Sequence, residues 1–240
     1  GKTPLHWLCL GYDRENEDHE EDKERSVICL ELLLAAGADV NARDNSGRRP
    51  LHCAAYNIAR LHLVERLIES GAHVDAVSDD GRTPLHCAAG LFGAHVTASV
   101  LIRAGAKLDA KDSRGRTPLH CVACSEKTTN VLIRAGAELN ARDSVGHTCL
   151  EVAVSENKWH IYPILLSAGA TLPDPKVKCD YAAPHRLAYI QRVRDEGGFA
   201  NLARLHLNKL TETLVPKFAG RGLPPEIVRH VVSFWLHAGY

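Results

Sequence analysis

The chain has 240 residues, with 29 Lys and Arg against 29 Asp and Glu, so no global basic field draws it to nucleic acid or to anionic lipid. Apolar residues make up 45% and aromatic residues 5%, which suits a globular core of Leu, Ala, Val and Ile. No apolar run approaches the roughly 18–20 residues needed to span a bilayer, so neither a nucleic acid nor a membrane is the expected partner.

In chain order, Gly1-Lys2 leads straight into Thr3-Pro4-Leu5-His6, so these first residues are not expected to be a secretory signal. Met is absent from the sequence, so a longer parent polypeptide is expected and Gly1 is not read as a native terminus. Residues 13–25 hold eight acids and three bases, which reads as a solvated segment or as a docking patch for opposite charge. An aliphatic cluster, Leu32-Leu33-Leu34, then runs into Gly37-Ala38.

The opening motif returns as Arg49-Pro50-Leu51-His52, Thr83-Pro84-Leu85-His86 and Thr117-Pro118-Leu119-His120, the proline stepping by 34 residues from 50 to 84 to 118. Glycine–alanine pairs keep step at 37–38, 71–72, 105–106, 136–137 and 169–170, and tight-turn signals such as Asp44-Asn45-Ser46-Gly47 and Asp112-Ser113-Arg114-Gly115 lead into the next motif. Proline suits the first turn of a helix, where its amide has no intrahelical partner, and Thr before it is an N-cap. Glycine supplies the left-handed residue that ends the second helix. Each unit therefore reads turn, helix, short loop, helix, glycine stop. Neither helix can bury its apolar face alone, so the units must stack.

Departures from the period are informative. From proline to glycine there are 21 residues in the second and third units but 33 in the first, which places the acidic run 13–25 as a loop between the two helices of unit one. In the fourth unit the distance is 18, which shortens the helix connection near Cys124 to Asn130. The fifth unit carries Thr148-Cys149-Leu150-Glu151 in place of the motif, as befits the end of an array. After Pro173-Asp174-Pro175 the repeat stops. Helical stretches are predicted at 185–196, ended by Gly197-Gly198, at 200–214 and at 225–237. Residues 176–240 hold ten bases and five acids.

Four near-copies of the motif in register with five glycine stops resemble the ankyrin-repeat family, over residues 1–172. The resemblance implies an all-α solenoid of helix pairs joined by β-turn loops, with repeats at 1–43, 44–77, 78–111, 112–142 and 143–172, followed by a C-terminal helical cap or docking segment at 173–240. It also implies a non-catalytic scaffold that binds another protein through its concave surface. The family's contact positions fall on Asn45, Ser46, Arg48, Asp79, Asp80, Arg82, Ser113, Arg114, Arg116, Ser144, Val145 and His147 at the turn tips, and on Tyr56, Asn57, Gly90, Leu91, Cys124, Ser125, Ser155 and Glu156 on the inner helices. Tyr56 and the arginines carry the best prospects, since binding energy concentrates in Tyr, Trp and Arg.

The His-Cys pairs at 52–53, 86–87 and 120–121 suggest metal ligands, but in ankyrin repeats this histidine bonds within and between units, and each cysteine fills a core slot usually held by Leu. Cys121-Val122-Ala123-Cys124 has no second such pair, no βαβ context and no following His. Phosphate loops, nucleophile elbows and zinc-protease motifs do not occur. The reading is therefore no enzyme, no metal and no cofactor, with reduced thiols that point to a cytoplasmic protein, the nucleus staying open. Leu223-Pro224-Pro225-Glu226-Ile227 resembles the opening of an F-box, and the stretch from Asn201 faintly resembles a SOCS box with His206 in place of Cys. These likenesses imply the alternative of a substrate receptor docked to a ubiquitin ligase adaptor through residues 201–237.

Overall fold

The computed structural model describes residues 1–11, 20–122, 125–156, 158–172 and 191–198. The chain forms two compact parts, Gly1–Tyr181 and Ala182–Tyr240. In the first, helices come in pairs: α1 (Pro4–Leu10) and α2 (Glu20–Ala35), α3 (Pro50–Ala55) and α4 (Leu61–Glu69), α5 (Pro84–Ala89) and α6 (His95–Arg103), α7 (Pro118–Cys121) and α8 (Glu126–Arg134), α9 (Cys149–Ser155) and α10 (Tyr162–Ser167). Short 3-10 turns at Ile58–Arg60 and Trp159–Ile161 lead into α4 and α10.

The first helices touch in series from α1 to α9 and the second helices in series from α2 to α10, giving two layers. The core between them repeats with the sequence. Leu5, Leu51, Leu85, Leu119 and Leu150 are at most 3% exposed, and Leu67, Leu101, Leu132 and Leu165 at most 1%. Each such side chain contributes roughly 1.5–3 kcal/mol of burial, gained only when neighbouring repeats are in place. Among the described residues the strand content is a single bridge between Arg142 and Thr148, so the all-α repeat solenoid stands.

Each second helix ends alike. The N–H of Ala72 donates to Leu67 O at 2.9 Å and that of Gly71 to Ile68 O at 3.0 Å, with Gly71 at φ +88°. This glycine-terminated closure recurs at Gly37, Gly105, Gly136 and Gly169.

Two local expectations are corrected. The acidic run was expected as an inter-helix loop over 13–25, but residues 20–25 form the start of α2, because Glu, Lys and Arg are good helix formers; residues 12–19 lie outside the described part. The deletion in the fourth repeat falls on the helix as well as on its connection. Helix α7 has four residues where α5 has six, and the link shrinks from 90–94 to 122–125. In the second compact part, residues 191–195 are helical and close at Gly197 and Gly198, both at positive φ, with Gly198 N–H donating to Val193 O at 2.8 Å. The stretches 200–214 and 225–237 lie outside the described residues.

Candidate functional site

The turns ahead of the first helices of repeats 2, 4 and 5 are each built by one carboxylate, from Asp44, Asp112 and Asp143. Asp44 Oδ1 accepts the N–H of Ser46 at 2.8 Å and of Arg48 at 2.9 Å, while Oδ2 accepts the Arg48 Nε and Nη2 donors at 3.2 and 3.1 Å. Asp112 does the same for Arg114 and Arg116, with guanidinium distances of 3.0 and 2.8 Å. Burial alone would raise both carboxyls, but these N–H groups and the arginine outweigh it and hold them below the usual range. In repeat 3 Ser78 takes the aspartate's place and Arg82 turns to Asp80, at 3.3 Å.

Successive tips are tied into a ribbon. Ser46 O accepts from Asp79 N at 3.0 Å, Asp80 O from Ser113 N at 3.0 Å, and Arg114 O from Ser144 N at 2.9 Å. The motif histidines lock the same layer. His86 Nδ1 accepts from Thr83 N–H at 3.1 Å, so its proton sits on Nε2, which donates to Arg116 O at 2.9 Å in the next repeat. His6, His52 and His120 do likewise toward Arg48 O, Arg82 O and His147 O at 2.9, 3.0 and 3.1 Å. Repeat 5 has Glu151 there, whose Oε2 accepts from Thr148 N–H at 2.7 Å. A carboxylate satisfies the helix start but cannot donate onward.

On this frame lies a cleft of about 190 Å³ lined by Tyr56, Arg82, His86, Cys87, Gly90, Arg116, His120, Cys121, Glu156 and Lys158. Tyr56 follows α3 and is 57% exposed. Gly90 closes α5, and a side chain added there would meet only ordinary contacts, the nearest at 3.4 Å from His86 O. Lys158 is 9% exposed; its ammonium donates to Val122 O at 2.6 Å and pairs with Glu156 Oε2 at 2.6 Å. That lysine has no motif signal in the sequence, which is why its role is visible only in three dimensions.

Residue by residue, the cleft gathers Tyr56, Arg82, Arg116, Gly90 and Glu156 from the sequence-derived set. Asn45, Ser46, Asp79, Asp80, Ser113, Arg114, Ser144 and Val145 are exposed along the tip ribbon, and Arg48 and His147 are half-buried there. Asp79 is already engaged by Arg43 at 2.7 Å. Asn57 has a structural job: its amide donates to Leu10 O at 2.8 Å and its Oδ1 accepts from Ala59 N–H at 3.0 Å, knitting repeats 1 and 2. Leu91 is half-buried outside the cleft, Ser125 is buried and caps α8, and Ser155 is exposed. Cys124 and the motif at 223–227 lie outside the described residues.

The family comparison agrees with this architecture: the description "Ankyrin repeats (3 copies)" matches residues 23–112 and 91–176, together more than half of the chain. The chain belongs to the ankyrin-repeat family. Ankyrin repeats generally mediate protein–protein interaction and are typically non-catalytic. No curated protein matched the chain. Among its described residues this ankyrin protein has no helix long and apolar enough to cross a membrane and no cluster of three or more potential metal ligands.

Cys53, Cys87 and Cys121 share one position of the repeat. Cys9, Cys53, Cys87 and Cys149 are buried and Cys29 is exposed, while Cys121 is partly exposed, so the core slot expected for the paired cysteines is fully closed at Cys53 and Cys87 but not at Cys121. Burial pushes the Cys53 thiol up to about 11 and Cys87 and Cys149 up to about 12. Burial likewise lowers His52, His86 and His120, which stay neutral at physiological pH.

Proposed function

We propose that the chain is a non-catalytic scaffold that holds a segment of another protein against its first-helix layer, in the cleft between Tyr56 and Lys158. The observation that carries this reading is the convergence of Tyr56, Arg82 and Arg116 on one cavity. These are the side-chain types in which binding energy concentrates, and Arg116 is held by the buried Asp112 carboxylate before any partner arrives, which lowers the ordering cost of association. Buried, protonated thiols and histidines bonded at both nitrogens support binding over catalysis. No cofactor is needed for it.

Gly90→Gln tests the reading, since it fills the cleft from a backbone conformation open to any residue. Partners recovered on the immobilised chain are quantified by mass spectrometry against that variant and against Glu65→Gln, on the exposed face of α4. Loss of a specific partner with Gly90→Gln and retention with Glu65→Gln is the expected result. The reverse pattern would move the binding surface to the second-helix layer.

A further inference from the structure

Repeats 2 to 5 provide an internal standard for repeat 1. Pro50, Pro84 and Pro118 are buried and Cys149, in the same register, is 3% exposed, yet Pro4 is exposed. Ala54, Ala88, Val122 and Ala153 are at most 2% exposed where Leu8 is half-buried. On the second helix, Leu63, Thr97 and Thr128, with Ile161 in the turn just before α10, are at most 3% exposed where Cys29 is exposed. Leu67, Leu101, Leu132 and Leu165 are at most 1% exposed where Leu33 is half-buried.

Other positions of repeat 1 close normally: Leu5 is 1% and Leu30 0% exposed. Repeat 1 has repeat 2 against it through α1–α3 and α2–α4, just as repeat 2 has repeat 3. What it lacks is the cover that α1 and α2 themselves give to repeat 2. The backbone shows the same gap. Arg48, Arg82, Arg116 and His147 each offer a carbonyl that accepts the Nε2–H of the histidine one repeat earlier. Lys2 O stands in that register, and no donor reaches it among the described residues. A repeat that ends a solenoid usually turns polar side chains outward; this one presents Pro, Leu and Cys.

We propose that Pro4, Leu8, Cys29 and Leu33 form a stacking interface for one further ankyrin helix pair, carried by the same polypeptide on the N-terminal side of Gly1. The apolar character of these four positions, together with their contrast in burial, argues for this cover, and the α1–α2 on α3–α4 interface, continued by one step, gives its geometry. The covering pair presents aliphatic side chains, since the four positions carry no charge, and a side-chain donor for Lys2 O. This interface is separate from the partner-binding cleft.

Cys29 reports on it. Pulse alkylation with iodoacetamide, read at the Cys29 peptide by mass spectrometry, is run on the 240-residue chain and on a form with residues 44–80 duplicated ahead of Gly1. In that form Gly1 takes the place of Gly81 and Lys2 that of Arg82, so the copied His52 reaches Lys2 O. The same pulse is applied to the polypeptide isolated from its native source. Cys29 should react freely in the 240-residue monomer and about tenfold more slowly or less in both other forms, as for a thiol reached only by local opening. Protection of Cys29 in the 240-residue chain itself, whether by its own segments or by self-association seen in sedimentation, would overturn the proposal. So would unchanged reactivity in the natively isolated polypeptide, even if the duplicated form failed to fold.

Discussion

At the scale of single residues, the turn glycines separate backbone conformation from packing. Gly81 sits at φ +76°, and a Cβ there would lie 2.6 Å from Ser113 N and 2.9 Å from Asp112 C in the next repeat. Gly105 has φ +89° with nothing within 4 Å. Gly105→Ala should therefore cost only the left-handed backbone penalty of about 1–2 kcal/mol. Gly81→Ala should cost at least ~1 kcal/mol more, because it also wedges two hydrogen-bonded turns apart. Equal losses in denaturant unfolding would mean that the tips do not pack as a ribbon.

The motif histidines make an independent prediction in pH. Burial lowers His52, His86 and His120 below their unfolded values, so the unfolded chain binds protons that the folded chain refuses. Their stability contribution is complete above pH about 6.5 and falls as the pH drops below it. The lowered carboxyls of Asp44, Asp80 and Asp112 also weaken the fold in acid, but only below pH about 4. Urea midpoints at pH 7.5, 6.0 and 5.0 should decline in that order. A flat profile across this window would mean that the histidines are not held neutral.

At the scale of elements, each helix is short and depends on its neighbours. Leu85, 0% exposed in α5, has counterparts in every repeat. Leu85→Ala should cost roughly 2–5 kcal/mol, measured by chemical denaturation, and a change near zero would place the register elsewhere. The regular helix pairs were legible from sequence because proline, histidine and glycine fix their ends by local chemistry. The irregular ones were less so. A deletion counted between Pro118 and Gly136 does not say whether helix or loop is lost, and the structure divides it between α7 and the link at 122–125. Nor does an acidic run distinguish a loop from the first turns of α2, where the solvent-exposed pair Arg25–Asp22 at 3.4 Å contributes little.

At the scale of the whole molecule, the solenoid of residues 1–172 was readable because one unit repeats five times. The cleft proposed for a partner was only partly so. Tyr56, Arg82 and Arg116 could be named from their places in the repeat, but their convergence depends on how neighbouring repeats are set against each other. The contribution of Lys158 depends on a single long-range bond to Val122 O. Asn57 shows the converse: a position that the repeat assigns to partner contact also joins repeats 1 and 2.

The most direct test of the account is the affinity of a purified partner for Tyr56→Ala, measured by titration calorimetry beside Arg103→Ala on the exposed face of α6. The cleft reading predicts a loss of about 30-fold, or ~2 kcal/mol, for Tyr56→Ala and a change within about twofold for Arg103→Ala. Normal affinity in Tyr56→Ala together with a large loss in Arg103→Ala would contradict it.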